Sequence, residues 1–435
     1  MKQHPNGSYF LKLKRRHGHS TKLSWRQDQI TFRSGRKLTT LKRSRGPTST
    51  DESTKGINTQ IDCRDLRCSH GHRPEDFAGQ NVIVIGQGNS AGDCAVEVSS
   101  HAKRVHIAHH RGSMIVPRMV DGARFDRFAS WKLTRLLFWL QSYLPPAHRW
   151  LTHKAFSAAN VGAFGTLNPA WNFDSEYLYA TNVATIMMND GIIAALQDRK
   201  LISSPAVVSV SGPKQVQLSN GSTIDDVDAI IACTGYDTSF DILGDAVTFS
   251  QPAPDIRKLP RLFYNIFPID HADSLACLHY NAFMANEATN REVAGMAIAQ
   301  IWAGKSSLPS RGEMEQQIQD HAEWFTRQCR NNAPIWQLNG LVEPRPWNQF
   351  MHKAAGIGLN EHLGWTIAGV KFSLLNPKLY LQMAYGVNTP HLYRYFETGK
   401  RKAWPGARDA IARVNKESAE DTKQSIREWK ATKEE

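Results

Sequence analysis

The stretch NVIVIGQGNSAGDCAVEVSS, residues 81–100, decides the fold of this chain. It begins with NVIVI, an apolar and largely β-branched run that is typical of a parallel strand covered on both faces. The glycines of GQG then predict a tight turn, and AGDCAVEVSSHA has the composition of a helix. The sequence therefore predicts the strand, turn and helix with which a Rossmann-like α/β fold begins.

The turn has the spacing GxGxxA, which suits a dinucleotide phosphate. We expect Gly86 to make the tight turn and Gly88 to leave room for a pyrophosphate beside the backbone. Asn89 and Ser90 open the helix, where free N–H groups bind phosphate. Ala91 is small enough for the helix and the strand to approach closely. The alternative is a glycine turn between strand and helix that binds no ligand.

A second apolar run, RVHIAHHRGS, begins about 20 residues after the turn, at the distance expected of the next Rossmann strand. In a fold that binds NAD, an acidic residue at the end of this strand holds the ribose 2′-hydroxyl. Here the strand ends in His109, His110 and Arg111. Positive groups at this place suit the 2′-phosphate of NADP, so we expect His110 and Arg111 to face it. A solvated loop charge is the alternative for Arg111.

A third buried strand is predicted within DDVDAIIACTGYDTSF, residues 225–240, where DAIIAC ends in Thr234 and Gly235. Upstream, Asn220 and Gly221 stand between two short strands and predict a type I′ hairpin turn. A strand, hairpin and strand ending in this way are common in flavoproteins with two dinucleotide sites. We expect Thr234 and Gly235 to lie where the backbone crosses between the cofactor domains, near a flavin.

The net charge of +13 belongs to one end of the chain. The first 60 residues hold 14 Lys/Arg and three Asp/Glu, whereas the remaining 375 hold 39 and 37. A body this close to neutral argues against specific nucleic-acid binding. For the basic end we expect disorder; a polyanion-binding patch and an organelle transit peptide are the alternatives. The six scattered cysteines form no metal-ligand pattern and suit a reduced interior.

No signal peptide is recognisable, since the basic end has no apolar core segment. The longest apolar stretch, LLFWLQSYL at residues 136–144, is far too short to span a bilayer. We therefore expect no transmembrane segment and a cytoplasmic location, with an organelle as the alternative.

Taken in order, these segments resemble the flavin-containing monooxygenase family of the dimethylaniline monooxygenase type. The resemblance rests on DFAGQNVIVIGQGNSAGDCAVEVS, HHRGSMIVPRMVDG and DAIIACTGY, followed by MMNDGIIAALQDRKL, GMAIAQIWAGKSSLPSRGEMEQQI and YRYFETGKRKAWPGARDAI. It covers roughly residues 68 to 415, in the order that the family has them.

The resemblance implies an oxidoreductase that uses NADPH, FAD and dioxygen to oxygenate soft nitrogen or sulfur atoms of a small amine or sulfide. The cofactors would carry the chemistry while the protein orients them and keeps the site dry. No catalytic side chains and no metal are therefore expected. The alternatives are a catalytically silent NADP-binding member of the family and a polyanion-binding protein that uses its basic end.

Residues 1–80 lack the FAD-binding strand and GxGxxG turn with which the family begins. We therefore expect a basic, disordered tail at 1–67, an NADP-binding domain with a helical insert at 68–235, and the remainder of an FAD-type domain at 236–415. A charged helix or tail follows at 416–435. Without the first half of the FAD domain, the strand DAIIAC would leave an open sheet edge, which a partner chain could cover.

Overall fold

The computed structural model describes residues 73–109, 112–173, 186–212, 214–234, 239–254, 256–278, 280–282, 287–332 and 340–434, and five backbone strands within residues 1–72. The strands, β1 to β20, are Lys2–Gln3, Tyr9–Phe10, Gln29–Ser34, Lys37–Lys42, Asn58–Asp62, Asn81–Ile85, Arg104–His109, Met114–Val116, Met119–Val120, Ala123–Arg124, Ile186–Met188, Leu201–Pro205, Val207–Gly212, Gln215–Leu218, Thr223–Ile224, Ala229–Ala232, Phe249–Ser250, Leu259–Pro260, Leu262–Phe263 and Phe267–Pro268.

The α-helices, α1 to α11, are Asn89–Ser99, Trp131–Tyr143, Pro145–Phe164, Ile192–Gln197, Glu287–Trp302, Arg311–Asn332, Pro344–Ala355, Leu359–Leu363, Ile367–Leu375, Pro377–Tyr385 and Ala407–Glu434. Short 3₁₀ helices occupy Pro74–Phe77, Phe125–Phe128, Pro169–Trp171, Asp241–Ala246, Ile269–His271 and Pro390–Arg394. Among the described helices, none is both long and apolar enough to cross a membrane.

A five-stranded parallel sheet with the order β12-β7-β6-β16-β5 forms the first layer of the fold. Its central strand β6 alternates between two packed faces, as a buried parallel strand does. Val82 and Val84 pack with α1, whereas Ile83 packs toward the antiparallel sheet β13-β14-β15. The predicted α/β fold with a parallel sheet is confirmed.

The strand DAIIAC does not end the sheet. Its ordered part, β16, pairs with β6 on one side and with β5, Asn58–Asp62, on the other. The predicted open edge is therefore not found in this structure, because the chain itself supplies the neighbouring strand. β5 precedes residue 68, where the NADP-binding domain was predicted to begin. The antiparallel pair β3-β4 also lies within the predicted tail.

The hairpin between β14 and β15 differs from the predicted type I′ turn. Only Gly221 has a positive φ, 86°, whereas that turn requires one at Asn220 as well. Gly221 N–H donates to the carbonyl oxygen of Leu218 at 3.0 Å, and Leu218 N–H donates to that of Ser222 at 2.8 Å. The loop is therefore a type I turn closed by a glycine bulge, which lets the two strands keep their twist.

The described part of residues 239–434 is mainly helical. The short strands β17 to β20 form two antiparallel pairs. The largest apolar core among the described residues joins α5, α7 and the segments that follow them. Its fully or nearly fully buried members include Phe267, Val293, Trp347 and Met351. The helix α2 of the insert contributes Trp131 and Phe138 to the same core. The last helix, α11, runs across residue 416, where a separate tail was predicted.

Candidate functional site

Gly86 joins the carboxyl end of β6 to the turn before α1. Its φ is +129°, which side chains rarely allow, and a Cβ at this position would lie 2.4 Å from the carbonyl oxygen of Cys233. Its N–H donates to the carbonyl oxygen of Ala108 at 2.9 Å. Gly86 thus allows β6, β7 and the end of β16 to converge closely at the edge from which the turn departs.

Gly88 is the N-cap of α1, and this end of the helix has no side-chain cap. The first helical bond at this end runs from Gly92 N–H to the carbonyl oxygen of Gly88 at 3.0 Å. The N–H groups of residues 89–91 therefore lack partners within the helix. A Cβ on Gly88 would meet no atom within 4 Å. Open space faces an uncapped helix start, an arrangement that accommodates a phosphate group.

Gln87, between the two glycines, adds a polar group that the sequence analysis did not single out. Its side chain is buried, and its Nε2 donates to the carbonyl oxygen of Trp171 at 3.1 Å. Its Oε1 is buried without a hydrogen-bond partner among the described residues. A buried acceptor in this condition costs free energy until a donor reaches it. A ligand hydroxyl or a water at the turn would supply that donor.

The three residues after Gly88 occupy the first turn of α1. Asn89 is exposed, and its Oδ1 accepts from Met188 N–H at 2.7 Å, so its amide Nδ2 is what it could offer a phosphate. Ser90 is half-buried and Ala91 is fully buried. Because Ala91 is fully buried among the residues that pack α1 against the sheet, a larger side chain there would have to displace its neighbours.

The segment MMNDG holds the start of α1 in place from the other side. Asp93 Oδ1 accepts from Arg118 Nη2 at 2.8 Å and from Asn189 Nδ2 at 2.9 Å. Asn189 Oδ1 in turn accepts from the N–H groups of Gly191 and Ile192, at 2.9 and 2.8 Å. These bonds connect α1 to the segment between β11 and α4.

Two histidines of β7 bond to serines of β12, His106 from the middle of the strand and His109 from its carboxyl end. His106 Nδ1 lies 2.9 Å from Ser204 Oγ, and His109 Nε2 lies 2.9 Å from Ser203 Oγ. Burial, helped by Arg104, lowers the pKa of His106 to about 4, and burial also lowers the pKa of His109. Both rings are therefore neutral hydrogen-bonding groups near pH 7. The predicted 2′-phosphate ligands His110 and Arg111 lie outside the described residues.

Thr234 is exposed and follows β16 at the same edge of the sheet as Gly86. Cys233 N–H donates to the carbonyl oxygen of Ile85 at 2.8 Å, which fixes this end of β16 beside the turn. Thr234 thus lies close in the fold to the turn before α1. Gly235, predicted to share its role, lies outside the described residues.

The sequence model of the flavin-binding monooxygenase-like family matches residues 47–428. The chain belongs to this family. It is 34% identical over 351 residues to monooxygenase aurF of Gibberella zeae, covering 79% of this chain and 65% of that protein. It is 28% identical over 347 residues to human flavin-containing monooxygenase 5, covering 78% of this chain and 58% of that protein. The chain therefore spans less than two thirds of the length of these curated relatives.

Two solved structures resemble the chain at low identity. S-allyl-L-cysteine S-oxygenase from Allium sativum is 15% identical, with a TM-score of 0.43 over 95% of this chain and 70% of that one. The OTEMO complex with FAD and NADP is 13% identical, with a TM-score of 0.39 over 67% of each chain. Members of the flavin-binding monooxygenase-like family bind FAD and NADP(H).

The two cofactors of the family fit the described residues unequally. The turn before α1, with its open glycine, uncapped helix and unpaired Gln87 oxygen, fits one dinucleotide. Within the described parts of residues 239–434, the strands β17 to β20 are short antiparallel pairs, and none leads through a glycine turn into a helix. The described residues therefore contain one turn with room for a pyrophosphate, before α1, and no equivalent turn within the described parts of residues 239–434.

A second polar cluster lies in the helical part, around Arg135 of α2. Its Nη2 lies 2.9 Å from His352 Nε2, and burial followed by the charge of Arg135 holds the pKa of His352 well below its usual value. Burial also lowers the pKa of Arg135 itself and raises that of Tyr393. A cavity of about 10 Å³ here, lined in part by Trp131 and Asn290, has room for about one water. The cavity beside this cluster is too small for a substrate.

Proposed function

We propose that this chain binds NADP(H) at the turn before α1 and takes part in the FAD-dependent oxygenation of soft nitrogen or sulfur atoms in small molecules. The observation that carries the proposal is the open glycine at an uncapped helix start, on a chain of the flavin-binding monooxygenase-like family. Backbone N–H groups at such a helix start bind phosphate, and the helix dipole favours its negative charge.

Each residue of the turn has a distinct part in this proposal. Gly86 brings the strands together, and Gly88 leaves the pyrophosphate its space. The N–H groups of Asn89 and Ser90 donate to the phosphate oxygens, and Ala91 keeps α1 close to the sheet. Gln87 Oε1 accepts a hydrogen bond from a hydroxyl of the nucleotide, which relieves its unpaired state.

In this proposal, the remaining predicted residues contact the two ends of the nucleotide. His110 and Arg111 face the 2′-phosphate, and Thr234 and Gly235 lie toward the flavin. The flavin and dioxygen supply the oxidising chemistry, while the described residues bind and orient the nucleotide. The substrate class that we propose is a small amine or sulfide.

A second candidate function is NADP binding without oxygenation by this chain alone. It is favoured by the single dinucleotide turn among the described residues. In that case the protein would act through the state of its nucleotide or through a partner that brings the flavin.

The visible absorption spectrum of the purified protein, with and without added FAD, tests the two candidates. A flavin band that survives desalting, bleaches with NADPH and returns as an added sulfide is oxygenated would support the first. A colourless protein that binds NADPH would support the second. A protein that binds no NADPH would refute both.

A further inference from the structure

The small cavity beside Arg135 lies where the insert meets the core of the helical part. Side chains of α2, α5, α7 and the segment 388–393 line it. Around it, Trp131 and Phe138 of α2 share an apolar core with Trp347 and Met351 of α7. Polar groups within an apolar junction are costly unless each one finds a partner. The groups at this cavity therefore indicate what it can hold.

Arg135 brings a positive charge to the cavity without a carboxylate to balance it. Its side chain is partly buried, and enough protein surrounds the guanidinium for burial to lower its pKa. Its hydrogen bonds with described residues run from Nη2 to the ring of His352, which is neutral because burial holds the pKa of His352 well below its usual value. Among the described residues, no Asp or Glu forms an ion pair with Arg135. A guanidinium stays protonated in proteins, so this charge lacks a counter-charge.

Two further side chains at the cavity offer hydrogen-bond donors. Trp131 is 4% exposed, and its Nε1–H, which can only donate, has no hydrogen-bond partner among the described residues. Asn290 is 5% exposed, and its side-chain amide forms no hydrogen bond with another described residue. Both residues lie in the first turn of a helix, α2 and α5, where the helix dipole favours negative charge.

We propose that a chloride ion, or another monatomic anion of its size, binds in this cavity and balances the charge of Arg135. The ion accepts hydrogen bonds from the Arg135 guanidinium, the Trp131 Nε1–H and the Asn290 amide. The cavity has room for about one water, which suits a monatomic anion and is too small for sulfate, phosphate or an organic carboxylate. Bound there, the anion connects α2 of the insert to α5.

The charge at the cavity favours an anion over a water molecule. A water can pair with the donors of Trp131 and Asn290, but it has no charge to offset the guanidinium. Tyr393 supplies none either, because burial raises its pKa and its hydroxyl donates to Asn388 Oδ1 at 3.1 Å. A charge withdrawn from water without a counter-charge is costly. The proposal concerns how the helical part is held together and does not depend on nucleotide binding.

Thermal unfolding of the full chain in sodium chloride and in sodium gluconate, at equal ionic strength, tests the proposal. Gluconate is too large for the cavity, so only chloride can bind there. We expect Tm to rise with the logarithm of the chloride concentration, and to exceed the value in gluconate by on the order of 3 °C when chloride is about tenfold above its dissociation constant. Bromide should replace chloride, and crystals grown in bromide should show an anomalous peak between Arg135 and Trp131.

Two substitutions distinguish an ion site from a cluster that only packs. Trp131→Phe removes the N–H donor and keeps an aromatic ring, so it should weaken chloride binding on the order of tenfold and leave Tm in gluconate nearly unchanged. Arg135→Met removes the charge and keeps an unbranched stem. It should abolish the dependence on chloride and be at least as stable as the parent chain in gluconate, because no unbalanced charge is then buried.

Matched substitutions away from the cavity serve as controls. Trp139→Phe changes a tryptophan of the same helix that is 47% exposed, and Arg427→Met changes an exposed arginine of α11. Neither residue lines the cavity. Both variants should show the same dependence on chloride as the parent chain, and circular dichroism would verify that all four variants are folded.

Three results would overturn the proposal. The first is a Tm that is the same in chloride and in gluconate. The second is a dependence on chloride that survives in Trp131→Phe and Arg135→Met, since the anion would then bind elsewhere. The third is an equal loss of stability in both salts, which would leave a water-filled cluster without an anion. If Arg135→Met fails to fold, Trp131→Phe decides by the same criteria.

Discussion

The substitution Gly88→Asp should separate the stability of the fold from its affinity for nucleotide. Gly88 has φ −95° and ψ −177°, which any residue adopts, and its missing Cβ faces open space. An aspartate here can accept hydrogen bonds from the free N–H groups of the first turn of α1. Because the helix has no side-chain cap at present, the new cap should add about 0.5–1 kcal/mol to the free energy of unfolding.

The same carboxylate should oppose the pyrophosphate. It would occupy the N–H groups that the phosphate needs and place a negative charge at about 4 Å from it. At an effective dielectric constant of about 20, two unit charges at that distance repel by about 4 kcal/mol. This corresponds to an NADPH dissociation constant on the order of a thousandfold weaker. Stability and affinity should therefore change in opposite directions.

Gly86→Ala provides the contrast. Its Cβ would lie 2.4 Å from the Cys233 carbonyl oxygen, at a φ of +129°. Strain and overlap of this kind should cost about 3 kcal/mol or more, a large part of the roughly 5–15 kcal/mol that stabilises a typical domain. Gly86→Ala should thus lower stability and affinity together.

Urea unfolding and fluorescence titration with NADPH would measure the two quantities, with Gly88→Ser as the uncharged control. We expect Gly88→Ser to keep only the part of the gain in stability that comes from capping, a few tenths of a kcal/mol, and to lose less affinity than Gly88→Asp. If folded Gly88→Asp bound NADPH as tightly as the parent chain, the pyrophosphate would not lie at this helix start.

Three further outcomes follow from the same region and from one buried histidine. Asn89→Ala removes the acceptor for Met188 N–H and should cost roughly 1 kcal/mol in urea unfolding, while a surface Asn→Ala control should cost little. Asp93→Asn removes the charge that faces Arg118 and should cost about 1–2 kcal/mol in the same assay, with the loss shrinking if Arg118 is replaced as well. Burial lowers the pKa of His321 from 6.5 to about 4, so the unfolded chain binds a proton between these pH values that the folded chain does not. Stability should fall by up to roughly 3 kcal/mol from pH 6.5 to pH 4, and the same pH series on His321→Phe should show a flatter profile.

The local geometry of the turn before α1 was predictable because its determinants are adjacent in the sequence. A β-branched run, two glycines and a helix specify β6, Gly86, Gly88 and α1 with little help from distant residues. The family resemblance that these segments carry is confirmed by the family match over residues 47–428. The roles of the individual turn residues stay predictions.

The contacts that hold the turn depend on residues far apart in the chain. Asp93 and Asn189 are 96 positions apart, and no periodicity within either segment indicates that they meet. β5 was missed for a related reason, since NTQID is short and polar and its place is given only by pairing with β16. Gln87 occupies a variable position of the GxGxxA spacing, and only the structure shows that its side chain is buried with an unpaired oxygen.

The last helix links the chain terminus to this region. A Cβ on Gly122, in the turn between β9 and β10, would lie 2.8 Å from the Cα of Ile426, so α11 presses directly on that hairpin. Arg118 directly precedes β9, the first strand of this hairpin, and it donates a hydrogen bond to Asp93 of α1. Deleting residues 416–435 would therefore uncover the hairpin and loosen the support of the helix start, and a bulky tag fused close to Ile426 would act on the same contact.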